Sequence, residues 1–137
     1  MLRSTFPENL ECPEPVETDT QLSLLSSRYR RFLLYGLSLY TTPVSLAVLA
    51  DTVTEMEYGV PAEEIVEKRV DVYTALYHNH LPQLVDKGVV HYNQSDDTVD
   101  LGPNASSLVT LLEQTVEKDI PDGHRIVSQD PIDLETL

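Results

Sequence analysis

The sequence predicts a mostly α-helical protein with a small β-hairpin wing, arranged as a winged helix-turn-helix with an extra C-terminal helix. Three observations predict this fold class: three helical patterns follow one another, a hairpin pattern follows the third, and a fourth helical pattern follows the hairpin. The chain has 137 residues, of which 41% are hydrophobic. This is the length of one soluble domain that can bury a core without disulfide or metal support.

The first helix is predicted to begin after Ser26 or Ser27, either of which can cap it, because apolar residues follow at helical spacing. A Thr-Thr-Pro sequence then breaks the helix, and Val44 can add a short strand. Ser45 caps a second helix, which ends at Gly59. The region therefore contains two helices joined by a short connection.

The third helical pattern starts near Ala62 and runs to Lys87, where Gly88 ends it. Pro82 lies inside the pattern and is expected to remove one backbone hydrogen bond and to bend or interrupt the last turns. The residues predicted to face the core share one sector of the helix; they are Val66, Val70, Tyr73, Tyr77, His80, Leu81 and Leu84.

The hairpin is predicted from two short strand patterns, residues 89–92 and 98–101, joined by a polar turn at 93–97. Asn104 can then cap a fourth helix over residues 104–120, with apolar residues on one face. We expect residues 21–120, including this helix, to form the folded domain.

Both ends of the chain are predicted to be mostly disordered and acidic. Residues 1–20 and 121–137 combine prolines with acidic groups and little apolar periodicity. The net charge is −14, of which residues 1–20 carry −4, residues 21–92 carry −2 and residues 93–137 carry −8. This balance is opposite in sign to the usual footprint of a nucleic-acid-binding protein.

The single cysteine, Cys12, excludes an intramolecular disulfide framework, and no leader pattern predicts secretion. The most apolar stretch, residues 32–40, is shorter than the roughly 20 residues that a membrane helix requires. We therefore expect a cytoplasmic protein without membrane association.

The segment VYTALYHNHLPQLVDKGVVHY, residues 72–92, carries a helical Leu-x-x-Leu followed by acidic, basic, Gly and Val residues. The residues concerned are Leu81, Leu84, Asp86, Lys87, Gly88, Val89 and Val90. Together with SSRYRRFLLYGL (26–37) and PVSLAVLADTV (43–53), the segment resembles an uncharacterised winged helix-turn-helix family, a domain of unknown function common in halophilic archaea. The resemblance covers about residues 22–102. It implies the fold and a saline habitat, in which excess acidic residues keep a protein hydrated.

The outward side of the third helix offers residue types that read DNA bases. Asn79 and Gln83 can pair with adenine, Thr74 can contact the thymine methyl group, and His78 can donate a hydrogen bond. The alternative interpretation is a solvated polar face of the kind that any surface helix displays. We expect this face to contact double-stranded DNA.

Phosphate contacts are the weaker part of this hypothesis, because the predicted wing turn is acidic at Asp96 and Asp97. The basic residues that could contact phosphates are Lys68, Lys87, Arg28 and Arg31, together with Arg30 and Arg69. The alternative for each of them is an ion pair on the protein surface.

Metal binding and catalysis are not expected. His78 and His80 are two residues apart and point about 200° away from each other on a regular helix, so they cannot chelate one ion. His80 is predicted to be a core histidine. The sequence has no nucleophile motif and no glycine-rich phosphate loop. No cofactor or small-molecule ligand is predicted.

Apolar residues on the outer side of the first helix and on the fourth helix need a cover. A homodimer built from these two helices would provide it and would space two reading helices for a palindromic site. The alternative is packing of the fourth helix across the first within one chain. The residues concerned are Leu34, Tyr35, Leu108, Leu111, Leu112 and Val116.

The sequence thus favours a small transcriptional regulator that places its third helix in the DNA major groove. The competing hypothesis is a winged-helix module that binds another protein through its acidic wing and exposed apolar residues, without binding DNA.

Overall fold

The chain is described over residues 15–120 and 132–137 by a computed structural model. The helices of this part are α1 (Thr18–Leu24), α2 (Arg28–Leu37), α3 (Leu46–Tyr58), α4 (Val66–Ala75), α5 (Leu81–Asp86) and α6 (Val109–Asp119). The strands are β1 (Val44–Ser45), β2 (Val90–Asn93) and β3 (Thr98–Leu101). A π-helical turn, Leu76–His80, joins α4 to α5, and 3₁₀ turns occupy Ala62–Glu64, Ala105–Leu108 and Leu134–Thr136.

The three strands form one antiparallel sheet in the order β1-β3-β2. Val44 of β1 lies opposite Val99 of β3, and Val90 of β2 lies opposite Leu101 of β3. The predicted fold class is confirmed: the protein is mostly helical with a small antiparallel sheet, compatible with a helical domain that carries a β wing. The short strand expected at Val44 is β1.

The predicted ends of the first two long helices follow from local chemistry. The Ser27 hydroxyl accepts a hydrogen bond from the Arg30 backbone N–H at the start of α2, and Ser45 does the same for Val48 at the start of α3. Gly59 ends α3 with φ 74°, a left-handed conformation that favours glycine. These caps confirm the expected helix starts.

The predicted cap at Asn104 is not found. The last long helix begins as a 3₁₀ turn at Ala105, and no capping hydrogen bond forms from the Asn104 side chain. Its Nδ2 donates instead to the Lys87 carbonyl, 2.9 Å away. The Asn104 backbone N–H also donates to the Gly88 carbonyl at 2.9 Å, so this residue joins the start of the last helix to the end of α5.

The third predicted helix is a helical rod, Val66–Asp86, made of α4, the π-helical turn and α5. Pro82 explains the turn, because its ring would collide with the His78 carbonyl in a regular helix and it has no N–H to donate. The buried residues that face the core are Val72, Leu76, Leu81 and Leu84. The five-residue step from Leu76 to Leu81 matches the wider turn and keeps both leucines on the core side.

The predicted core sector of the rod was therefore wrong in its first turns. Val66 and Val70 are each 56% exposed, whereas Val72 is buried. A single 3.6-residue period cannot describe a helix that contains a π-helical turn, so the predicted sector rotated away from the true one at the first turns.

The predicted disordered ends were also partly wrong. Helix α1 begins at Thr18, inside the predicted arm, and Val16 before it is buried. Near the C-terminus, Leu134 is buried, and Ile132 and Leu137 pack against the core. The rest of both predictions, residues 1–14 and 121–131, lies outside the described residues.

A network of polar side chains fastens α6 to α2. Arg31 donates two hydrogen bonds to the Asp119 carboxylate, at 2.7 and 3.1 Å, and the Tyr35 hydroxyl donates to Asp119 at 2.8 Å. Thr115 lies 2.6 Å from the same hydroxyl. Burial raises the pKa of Asp119, but the hydrogen bonds from Arg31 and Tyr35 outweigh this effect and hold the pKa below its ordinary value. The carboxylate is therefore held in its charged form.

The residues of the predicted dimer interface take part in this packing within the chain. Leu34, Tyr35, Leu108 and Leu112 are at most 1% exposed, and Leu111 and Val116 are partly buried against the same core. Four of these side chains are covered within the chain, and Leu111 and Val116 are covered in part. Of the two arrangements that the sequence left open, packing of the last helix across the first long helix is the one found.

We predict that removing parts of this network lowers the free energy of unfolding. Asp119→Asn leaves the mostly buried Arg31 guanidinium without its counter-charge and should cost about 3 kcal/mol. Tyr35→Phe removes a hydroxyl with two partners and should cost about 1–2 kcal/mol. Urea unfolding followed by circular dichroism measures both effects.

Arg28→Ala is the matched control, because the Arg28 side chain in its ion pair with Glu57 is 58% exposed. Loss of such a pair changes stability by less than about 1 kcal/mol. Equal losses in all three variants would contradict the assigned role of Asp119.

Candidate nucleic-acid interface

The outward face of the helical rod carries the four predicted reader residues. Thr74, His78, Asn79 and Gln83 are all exposed. The Gln83 amide nitrogen donates to the Asn79 side-chain oxygen at 2.9 Å and to the Asn79 carbonyl at 3.1 Å. Asn79 and Gln83 therefore lie side by side on the surface, one turn apart.

The π-helical turn positions two of these residues. His78 and Asn79 lie within it, and Pro82 follows directly in the first turn of α5. The wider turn lets Leu76 and Leu81 stay buried while the residues between them include two that point to solvent. Turns of this kind occur frequently at functional sites, where they redirect side chains.

The wing, residues 90–101, is fixed to the rod by Asp97. The Tyr73 hydroxyl of α4 donates to one Asp97 carboxylate oxygen at 2.8 Å, and the Tyr92 hydroxyl of β2 donates to the other. Asp97 has φ 55°, and its carbonyl accepts from the Leu46 N–H at the start of α3. Asp97 thus connects the wing to α3 and to α4.

Asp97 was expected to repel phosphate, but its carboxylate accepts two tyrosine hydroxyls. The bond to Asp97 and partial burial raise the pKa of Tyr73, and desolvation with the same carboxylate raises the pKa of Tyr92. Asp96 remains exposed at the tip of the wing. The tyrosine partners were missed from the sequence because they are distant along the chain or on the opposite side of the turn.

Arg31, predicted to contact phosphate, is not available for that role. Its side chain is 17% exposed and bound to Asp119. Arg30 is 7% exposed, and its Nε donates to the Leu24 carbonyl at 2.6 Å. Both arginines are used to hold the chain that precedes α2.

The other predicted phosphate contacts are exposed but have partners. Arg28 lies 3.3 Å from a Glu57 oxygen, and Lys87 lies 3.6 Å from an Asp86 oxygen. The Lys68 amino group lies 5.8 Å from the centre of the Tyr58 ring. These surface contacts are weak, so a phosphate can displace them at small cost.

Arg69 is held more firmly than these three. Its guanidinium binds the Asp51 carboxylate of α3 through two hydrogen bonds, at 2.5 and 3.1 Å. The pair fixes the rotation of α4 against α3.

His80 joins the rod to the start of α2. Its Nδ1 accepts a hydrogen bond from the Arg30 guanidinium at 3.1 Å and lies 3.5 Å from the Ser27 hydroxyl. Its ring meets the Tyr29 ring edge-on, with centroids 5.6 Å apart. Burial and the charge of Arg30 lower the pKa of His80. The ring faces inward, as the sequence indicated, but is half-buried, and the sequence did not identify its arginine partner.

Two grooves border the face of the rod that carries the four predicted reader residues. One of about 410 Å³ separates the rod from the wing and is lined by Tyr77, His78, Leu81, Pro82, Val85, Tyr92 and Gln94. The other, of about 480 Å³, lies between α1 and the end of the rod and is lined by Asp19, Thr20, Ser23, Leu24, Pro82, Gln83, Asp86 and Lys87. Helix α1 therefore brings a carboxylate close to Gln83.

Residues 22–100 match a family described as Domain of unknown function (DUF7344). The chain belongs to this family. No curated protein and no solved structure matches this chain. The DUF7344 region begins within α1 and ends within β3, so it contains the rod, the wing and the reader residues, whereas α6 lies beyond it.

Two further searches concern only residues 15–120 and 132–137. Among them, no group of three His, Cys, Asp or Glu side chains is placed to hold a metal ion. None of their helices combines the length and the apolar character needed to cross a membrane.

We predict that the burial of His80 and its contact with Arg30 make stability depend on pH. The folded-state pKa of His80 lies below its ordinary value of 6.5, so the unfolded chain takes up the proton first as the pH falls. The free energy of unfolding should therefore decrease as the pH falls from about 6.5 towards the lowered pKa. Above pH 7.5, roughly, the contribution should be constant.

His80→Asn retains an acceptor near Arg30 and has no proton to gain, so it should flatten this part of the profile. Urea unfolding at a series of pH values measures the slope. His91→Asn, on the exposed side of β2, is the control. A His80→Asn profile as steep as that of the unchanged protein would refute the assignment.

Proposed function

We propose that the protein binds double-stranded DNA in a sequence-specific manner and acts as a small cytoplasmic transcriptional regulator. In this proposal the domain is a winged helix of the type common in halophilic archaea, and the rod enters the major groove. One observation carries the proposal: four exposed, uncharged reader residues lie on a rod that Asp97 fixes to a wing.

The Asn79 and Gln83 pair has the chemistry to read adenine. When the Gln83 amide nitrogen donates to the Asn79 oxygen, the Asn79 nitrogen and the Gln83 oxygen remain for other partners. Together they supply one donor and one acceptor, which complement N7 and the N6 amino group on the major-groove edge of adenine. Thr74 adds a methyl group that can contact thymine.

Phosphate attraction contributes little in this mode of binding. Arg28, Lys68 and Lys87 are the exposed candidates, and three phosphate contacts give a slope of log K against log salt of about −2.7. Proteins that make six to ten such contacts, roughly, have far steeper slopes. Base contacts must therefore supply most of the discrimination, and binding should persist at high salt.

The test is selection of duplexes from a random pool at about 0.1 M and about 1 M potassium chloride, followed by affinity measurements. We expect a preferred sequence that contains adenine. Asn79→Ala with Gln83→Ala should remove that preference, since loss of the bidentate contact that the two residues make together costs about 1–3 kcal/mol.

Gln114→Ala, on the exposed side of α6, is the matched control and should select the same duplex. A double variant that keeps the preference would show that another face reads DNA. The absence of any preferred duplex at either salt concentration would end the proposal.

A second candidate function is a module that binds another protein and not DNA. It is favoured by the intrachain partners of the basic residues, since Arg31 and Arg69 are bound to carboxylates. A stoichiometric protein partner that copurifies with the chain, with no DNA fragment enriched by immunoprecipitation, would support this function over the first.

A further inference from the structure

The first turns of α4 expose two valines that no part of the described chain covers. Val66 and Val70 are four residues apart and lie next to each other on one side of the helix. Each is 56% exposed, more than any other large hydrophobic side chain in residues 15–120 and 132–137. We call Val66, Val70 and the acidic residues around them the valine patch.

The rotation of α4 keeps these valines outside. Val72 is buried on the core side of the helix, and Arg69 is bound through both of its hydrogen bonds to Asp51 of α3. Turning α4 to bury the valines would expose Val72 and break the Arg69 pair. The exposure of the patch is therefore built into the packing of the helix.

Acidic side chains surround the two valines. Glu67 and Asp71 each follow one valine, and Glu63 and Glu64 lie in the 3₁₀ turn just before α4. All four are exposed, and no lysine or arginine among the described residues forms an ion pair with them. The exposed amino group in the same turns is Lys68, so carboxylates outnumber basic groups around the valines and the patch combines apolar surface with net negative charge.

We propose that the valine patch docks a basic amphipathic helix of a partner protein. Apolar side chains one turn apart on the partner would cover Val66 and Val70, and flanking lysines or arginines would face Glu67 and Asp71. A second copy of this chain would bring the same acidic groups, and a duplex laid over the two valines would bring phosphates against the four carboxylates, so a basic helix fits the patch better than either. The inference goes beyond DNA binding, because the reader residues begin later on the rod, at Thr74.

The probe is a synthetic helical peptide with leucines four residues apart and lysines beside them, titrated into the ¹⁵N-labelled full chain. A peptide of the same composition with scattered leucines is the comparison. Backbone amide shifts should be confined to residues 63–71. Val66→Ser with Val70→Ser should weaken binding at least about tenfold, because the buried apolar contact is lost.

Leu22→Ser is the matched control, since Leu22 is 53% exposed on α1, away from the patch. Glu67→Gln with Asp71→Asn should weaken binding and reduce its dependence on salt. All these side chains are exposed, and unchanged urea midpoints would verify that the variants fold.

Three results would overturn the proposal. Equal binding of the scattered peptide would indicate general attraction to an acidic surface. Loss of duplex binding in the valine variant, with peptide binding unchanged, would assign the patch to the DNA interface. Self-association that the valine variant abolishes would identify a second copy as the occupant.

Discussion

The missing backbone N–H of Pro82 is the constraint on which the geometry of the rod depends. A regular helix cannot pass through this residue without a collision at the His78 carbonyl, and the chain responds with one wider turn. That turn places Leu76 and Leu81 on the same side although they are five residues apart. It also directs His80 towards Arg30 while His78 and Asn79 remain in solvent.

Ion pairs between charged side chains also hold the helices of the protein together. In an acid-rich chain, carboxylates outnumber the basic groups, and two arginines, Arg31 and Arg69, join elements through ion pairs. Arg31 holds α6 through Asp119, and Arg69 holds α4 against α3. These pairs connect residues that are 88 and 18 positions apart, so they determine tertiary packing. The same use of arginine limits the attraction of the surface to phosphate, so the proposed binding of DNA relies mainly on uncharged side chains.

Features set by local chemistry could be predicted from the sequence, and features set by distant contacts could not. Ser27, Ser45 and Gly59 act on backbone groups within a few residues, so the starts of α2 and α3 and the end of α3 were predicted. The pairing of Arg31 with Asp119 has no local signal, and the assignment of Arg31 to phosphate was therefore wrong. The predicted core-facing sector of the rod was wrong for a different reason. One wide turn changes the angular position of the residues on one side of it relative to those on the other, so a single helical period cannot describe both.

The rod has two parts with different surface chemistry. Residues 66–71 expose valines, carboxylates and Lys68, whereas from Thr74 to Gln83 the exposed residues are mostly uncharged and polar. A basic amphipathic helix fits the first part, where carboxylates outnumber Lys68, and finds few apolar contacts on Asn79 and Gln83. Since one rigid rod carries both surfaces, a partner bound at Val66 and Val70 would lie beside any duplex held by the readers. The spacing between the two surfaces is then fixed by the helix itself, so a partner could extend the recognised DNA site without any change in the fold.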